Sequence, residues 1–275
     1  MKSIAAPDGW GDVRAGTHAT RVKIGFGQGQ SLEAVWPEAD AVYNDDTLKI
    51  EGHPVMERWE DGYMRVLAAI AGSRRGLHAL LRDFEGHDVD SPVGPCPSLS
   101  DLALETVEGA RHVLEVGYGM GISAGYLREQ LRPYASSKHH IIEANQQVAE
   151  RAEAFAEEYP GYATIVRKGL WQDVIGEYRD GSLDAILFDS YPLNPKEVHG
   201  NHFPFLKEAY RLLRKGGVFT YYSDEINDFS SQHIEALKEV GFSRNRIGGL
   251  VVRVSPPADC QYWTSPTILA PIVVK

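Results

Sequence analysis

Cysteine is nearly absent from this chain: its 275 residues contain only Cys96 and Cys260. Neither lies in a CxxC pair or at ligand spacing from a histidine, which excludes a disulfide framework and a structural zinc site, so no metal is expected. The same scarcity fits a reducing compartment, and the cytoplasm is the expected location. Positive charge is the second shortage, with 28 Lys and Arg against 38 Asp and Glu and a formal charge of -10. Nucleic-acid backbones are held by clustered Lys and Arg, so the expected partner is a small molecule and not a nucleic acid. Long apolar runs are also missing. Nothing approaches the roughly 20 residues that cross a bilayer, and Met1 to Asp8 lacks the apolar core of a secretory signal, so no membrane association is expected. There is no internal repeat or low-complexity tract, and nothing in the composition bears on oligomeric state.

What the chain has instead is an α/β pattern centred on residues 111 to 145. His112-Val113-Leu114-Glu115-Val116 is a short apolar run suited to a buried parallel strand. It turns at Gly117-Tyr118-Gly119-Met120-Gly121 before a helix predicted from Ile122 to Leu131. The glycines permit a tight turn and let backbone amides approach a ligand at the helix N-terminus. His139-Ile142 makes a second strand ending in Glu143, placed where a carboxylate accepts both hydroxyls of a ribose. Two cofactors fit such a unit. A nicotinamide dinucleotide usually asks for G-x-G-x-x-G, whereas the spacing here is G-x-G-x-G with Glu115 inside the preceding strand. That arrangement resembles motif I of S-adenosylmethionine-dependent methyltransferases.

The rest of the chain extends the pattern. Gln147 to Tyr159 reads as a helix and Thr164-Val166 as a third strand, followed by Lys168-Gly169-Leu170-Trp171, where Leu170 and Trp171 either contact an adenine or pack in the core. Leu183 to Phe188 is another buried strand, ending in Asp189, a carboxylate that points into the same crevice as Gly119 and Glu143. Phe203 to Leu213 and Ser231 to Val240 read as helices, Val218 to Tyr222 as a strand, and 246–255 with 267–274 as an antiparallel closing pair.

Upstream, residues 1 to about 45 read as an extended arm with one short helix near Ser31 to Val35. Its Trp36 and Tyr43 pack on the core or over a ligand. From Gly52 onward the spacing of Met56, Trp59 and Tyr63 predicts one helix face, with Glu60 flanked by Met56 and Met64. Residues 73–109 contain an amphipathic piece from Leu77 to Phe84, a Pro- and Gly-rich loop, and a helix predicted from Ser100 to Val107.

Six stretches, in order, resemble the guanidinoacetate N-methyltransferase family: Gly52-His53-Pro54-Val55-Met56-Glu57-Arg58-Trp59-Glu60, Glu115-Val116-Gly117-Tyr118-Gly119-Met120, Ile141-Ile142-Glu143, Lys168-Gly169-Leu170-Trp171, Phe188-Asp189-Ser190-Tyr191-Pro192-Leu193 and Pro256-Pro257-Ala258-Asp259-Cys260. The resemblance implies a fold and a site. The fold is a doubly wound, Rossmann-like class I methyltransferase sheet over 51–275, with an antiparallel C-terminal strand pair, an inserted segment at 73–109, and an N-terminal arm or lid over 1–50. The cofactor is S-adenosylmethionine, held by the loop residues Glu115, Gly117, Gly119, Met120, Gly121 and Ile122, by Glu143 and Ala144, and by Leu170 and Trp171. Trp36, Met56 and Met64 line its site, with Asp189 at its border. Glu60 and Asp189 bind the guanidino group of a small substrate, with Tyr43 on the substrate side.

Two departures stand out. The family closes on a substrate carboxylate with backbone amides at positions that here read Asp224 and Glu225, acidic residues that would repel it. They point to arginine or another amine-bearing guanidino compound in place of guanidinoacetate. The 73–109 segment is also longer than the family's usual connection. Two other readings stay open: an aminopropyltransferase, which shares a glycine loop, a ribose-binding acid and a strand-end Asp, and a non-catalytic protein that binds S-adenosylmethionine.

Overall fold

A strand covered on both faces is expected to be mostly apolar, and every residue of β8 (Leu183–Phe188) is buried, its one charged member, Asp184, being ion-paired with Arg214. Around it the chain builds an eight-stranded sheet, with β5 (His112–Val116), β6 (Lys138–Glu143) and β7 (Ala163–Lys168) on one side. On the other side lie β9 (Leu213–Tyr221), β11 (Thr267–Val274), β10 (Ile247–Arg253) and β4 (Val93–Pro95). The spatial order is β4-β10-β11-β9-β8-β5-β6-β7. Strands β9, β8, β5, β6 and β7 are parallel, and β11, β10 and β4 add antiparallel pairings, so the expected closing pair is present. The computed structural model describes residues 31–72, 93–95, 112–134, 136–194 and 200–275. The first thirty residues of the expected arm, the 77–84 piece and the Ser100 to Val107 helix lie outside the described residues.

Helices pack on both faces. One apolar cluster gathers α1 (Asp61–Gly72), α2 (Ile122–Leu131) and α3 (Gln146–Glu157). The other gathers α5 (Leu206–Leu212) and α6 (Ser231–Glu239), while α4 (Trp171–Val174) is a single turn after β7. From β5 the chain runs outward through β6 to β7, then returns to lay β8 and β9 on β5's other side. The order therefore reverses between β5 and β8, and in such sheets the crevice at that reversal, beyond the strands' carboxyl ends, is where ligands bind.

The structure corrects the reading of residues 31–60. Instead of an extended arm with a helix near Ser31, it has a 3-10 turn at Trp36–Glu38 and an antiparallel sheet of β1 (Ala41–Tyr43), β2 (Thr47–Ile50) and β3 (His53–Glu57). Met56 is on β3 and Glu60 in a 3-10 turn, Arg58–Glu60, with α1 starting only at Asp61. Met56, Trp59 and Tyr63 therefore do not share a helix face. Pro54 explains the difference: it disfavours helix at His53, and as an edge-strand residue it forfeits no ladder bond. The helix entry is fixed by a reciprocal capping box in which the Glu57 and Glu60 side chains each accept the other's backbone amide.

Glu115 serves this scaffold. It is fully buried mid-strand, accepts a hydrogen bond from the Ser123 hydroxyl at the start of α2, and lies 2.8 Å from His139 Nε2 on β6. It therefore ties the glycine loop's two flanking elements to the neighbouring strand. Replacing Glu115 with Ala strands both partners in a dry core, and such a loss costs about 3–5 kcal/mol. Chemical denaturation of Glu115→Ala should show a drop of that size.

Candidate active site

Three glycines shape the turn after β5, with φ of +91° at Gly117, +54° at Gly119 and +73° at Gly121. At Gly117 the need is steric as well as conformational, because a Cβ there would sit 2.1 Å from the Asp189 carbonyl oxygen. Gly119 is pressed against Met56, whose Sδ and Cε would lie 3.1 Å from an added Cβ. At the end of β6 the Glu143 carboxylate accepts the Tyr118 and Asn145 amides, each at 2.8 Å. Burial pushes its carboxyl upward in pKa, and the surrounding amides oppose that shift. The carboxylate also lines the cavity, at the strand end where an acid can accept ribose hydroxyls.

Asn145 joins this corner to residues 36–39. It caps α3 through Oδ1 and donates from Nδ2 to the carbonyls of Trp36 (2.9 Å) and Ala39 (2.8 Å). Trp36 in turn stacks on Tyr191 with ring centroids 4.8 Å apart, and the Leu32 amide donates to the Leu193 carbonyl. Together these enclose a cavity of about 1290 Å³, counting its open mouth.

Two carboxylates distant in sequence meet in that cavity. Glu60 is held by the Glu57 amide (2.9 Å) and the Tyr222 hydroxyl (3.0 Å), and Asp189 follows β8 with its amide on the Val116 carbonyl. Desolvation pushes Glu60 up to about 8, with the negative charge of Asp189 adding to the shift. Asp189 rises to about 7, again mainly from desolvation, with smaller contributions from Glu115 and Glu143. Such a pair attracts a cation or holds protons in its place.

Of the residues expected at the site, Trp36, Met56, Glu60, Gly117, Gly119, Glu143, Ala144, Leu170, Trp171, Asp189 and Asp224 line the cavity. Met64 does not, being fully buried in the core on α1, and Glu115 lies beneath the loop. Met120, Gly121 and Ile122 border a separate groove on the loop's other side. Tyr43 does not line the cavity either: its hydroxyl donates to the Gly119 carbonyl and its ring lies under the Arg151 guanidinium. Glu225 is turned inward, where it accepts the Ser230 amide and lies 3.2 Å from His233 Nδ1. Sequence reasoning missed Tyr222, Tyr262, Asn201 and His202 as lining residues. Tyr222 directly follows β9 and was findable from that position, whereas nothing local marks Tyr262.

The profile of the guanidinoacetate N-methyltransferase family matches residues 24–82 and 95–275. The chain belongs to that family. Its curated relatives include protein arginine N-methyltransferase 2 of Aspergillus oryzae, 33% identical over 115 residues, which are 40% of this chain and 25% of that protein. The Yarrowia lipolytica protein of the same name is 28% identical over 191 residues, 66% of this chain and 31% of that protein. The chain thus spans a quarter to a third of the length of these two relatives. Among solved structures, spermidine synthase from Thermotoga maritima aligns over 86% of this chain and 68% of its own, with a TM-score of 0.46 and 14% identity. A SAM-dependent methyltransferase from Aquifex aeolicus aligns over 60% and 82%, with a TM-score of 0.40 and 17% identity. Those scores decide nothing about chemistry.

S-adenosylmethionine, the methyl donor of this guanidinoacetate N-methyltransferase family, fits the residues present. A dinucleotide's pyrophosphate is usually held by a G-x-G-x-x-G loop, and the loop here has the spacing G-x-G-x-G. A donor without phosphate meets the glycine loop, the Glu143 carboxylate, and the apolar walls of Leu170, Trp171 and Val148. Removing the Glu143 carboxylate should therefore weaken the cofactor's hold. Glu143→Ala is expected to raise the Kd for S-adenosylmethionine at least tenfold in calorimetry, and an unchanged Kd would refute the ribose role.

Proposed function

We propose that this chain transfers a methyl group from S-adenosylmethionine to a guanidino nitrogen of a small molecule. The observation that carries this reading is the presence of Glu60 and Asp189 in one cavity with the glycine loop, both proton affinities raised. A guanidinium is planar, its pKa lies above about 12, and it is matched by carboxylates through paired hydrogen bonds. Two such carboxylates fix which nitrogen faces the donor.

When bound, S-adenosylmethionine supplies a methyl group on a positively charged sulfur. The accepting nitrogen needs a lone pair, and a protonated guanidinium has none to give. In this reading Asp189 holds that nitrogen and takes its proton as the new N–C bond forms, while Glu60, oriented by the Glu57 amide and Tyr222, grips the far side of the cation. A carboxyl near pH 7 accepts a proton more readily than one near 4, so burial equips Asp189 as the base. Positioning contributes the rest, since in-line attack turns an encounter into a held geometry. The docked 31–39 segment and the Trp36–Tyr191 stack exclude water from one side, which strengthens both ion pairs.

Asp189→Asn should lower kcat by about 10²–10⁴-fold, the usual contribution of a general base, with cofactor affinity nearly intact. Retention of more than about a tenth of the rate, a loss under about 1.4 kcal/mol, would remove the base assignment. The pH dependence follows from the sign of the shifts. Both acids are raised, so the free protein carries them protonated below about 7 and ionised above about 8. The value of kcat/KM for a guanidine should climb through that window and level off above it, and a profile flat from pH 6 to 9 would contradict the two-carboxylate reading. Incubation of a guanidine panel with labelled donor, read by mass spectrometry for a gain of one methyl, tests the reaction class directly.

A further inference from the structure

Methyl transfer to a guanidinium leaves a proton behind. A guanidinium and a sulfonium enter with one positive charge each, and a methylated guanidinium, whose pKa stays above about 12, leaves beside a neutral thioether. One proton is therefore released in each turnover, and Asp189 receives it. While Asp189 holds that proton, the product cation has lost one of its two counter-charges.

A buried row of titratable groups starts at the same cavity. His202 lines it, and the Asn201 side-chain amide next door donates to the carbonyl of Ser190, the residue after Asp189. The segment bearing His202 is thereby fastened to the exit of β8. His202 Nε2 lies 3.2 Å from Nε2 of His233 on α6, and His233 Nδ1 lies 3.2 Å from the Glu225 carboxylate. The Tyr221 hydroxyl also reaches His233 Nε2, at 2.6 Å, and all four side chains are buried. Two ring nitrogens at hydrogen-bonding distance share one hydrogen, so the row has two arrangements. In one, His233 is neutral, gives its Nδ1 hydrogen to Glu225 and accepts the Nε2 hydrogen of His202. In the other, His233 is a cation that donates to Glu225 from one nitrogen and toward His202 from the other. Tyr221 fits both, donating to a bare Nε2 or accepting from a protonated one. Burial, with the Glu225 charge adding to it, keeps the Tyr221 hydroxyl protonated, so it does not compete as a base.

We propose that His202 is a second proton acceptor of the site, taking over from Asp189 the proton that methyl transfer releases, with His233 and Glu225 as positioning residues that draw the charge away from the product. The proton arrives on His202 Nδ1 as the Nε2 hydrogen passes to His233. Asp189 is then again an anion beside the guanidinium, and His233 is a cation beside Glu225. Each charge has its opposite, whereas a proton resting on Asp189 leaves the product cation half matched. Imidazole suits the exchange, because it is the side chain that ordinarily titrates in the range to which Asp189 is raised, about 7. This rests on the guanidino reading above and deepens it.

Guanidinoacetate, arginine and agmatine serve as probes, with kcat and KM measured on whichever gains a methyl. His202→Gln, whose amide cannot pass a proton on, should lower kcat at least about tenfold. KM for the guanidine and the calorimetric Kd for S-adenosylmethionine should stay nearly unchanged. His233→Gln, a change behind the cavity wall, should show the same split. In mixtures of light and heavy water the unaltered protein's kcat should follow a curve, since two protons move together, and that of His202→Gln a straight line. Ring-nitrogen NMR of histidine-labelled protein at alkaline pH should find hydrogen on Nε2 of His202 and on Nδ1 of His233. Near-normal kcat in His202→Gln, a straight line for the unaltered protein, or hydrogen on His202 Nδ1 at alkaline pH overturns the relay and leaves guanidine methylation standing. A loss spread over kcat and KM with the isotope curve kept means that the histidines only pack, and overturns it as well. If no probe gains a methyl although calorimetry shows the donor bound, the guanidino reading itself fails. Should the variants not fold, the isotope curve and the NMR of the unaltered protein still decide.

Discussion

The site depends on how closely the exits of two parallel strands approach each other. At Gly117 the backbone leaving β5 comes so near the Asp189 carbonyl at the end of β8 that any side chain would collide with it. Cross-strand bonds hold the contact from both sides, with the Gly117 amide on the Ile142 carbonyl and the Asp189 amide on the Val116 carbonyl, each at 2.8 Å. One glycine therefore sets the distance between the cofactor loop and the carboxylate that faces it. The buried Glu115 beneath the loop, joined to Ser123 and His139, keeps that loop from drifting.

A second constraint is electrostatic. Gathering several carboxylates in a partly dry cavity opposes their ionisation, and the raised proton affinities of Glu60 and Asp189 are the signature of that cost. The cost is relieved when a cation arrives, because desolvation that penalises a lone charge strengthens a paired one. Polar neighbours hold the geometry meanwhile: Tyr222 and the Glu57 amide fix Glu60, and backbone amides fix Glu143.

Much of the parallel sheet was legible in the chain because buried strands write themselves as short apolar runs, as in residues 185–188, and because glycines at 117, 119 and 121 mark a turn that other residues resist. Strand-end carboxylates such as Glu143 and Asp189 could be placed in a crevice by topology alone. The segment from His53 to Glu60 was misread as helix because its apolar spacing fits a 3.6-residue period by coincidence, and the weight of Pro54 shows only once β2 lies alongside. Likewise, nothing local separates Asp224, which faces the cavity, from Glu225, which is turned toward Ser230 and His233.

Residue order alone determined the parallel strands from 112 onward, the glycine turn, the family resemblance and the excess of negative charge, since each is a property of neighbours along the chain. Tertiary structure decided the rest: that Glu60 and Asp189 line one cavity, that Glu115 and Met64 are scaffold, and that of two adjacent acids Asp224 lines the cavity while Glu225 is turned toward His233. Those are questions of which side of a backbone a side chain leaves from and what lies opposite, and the answer is fixed only when distant segments pack together.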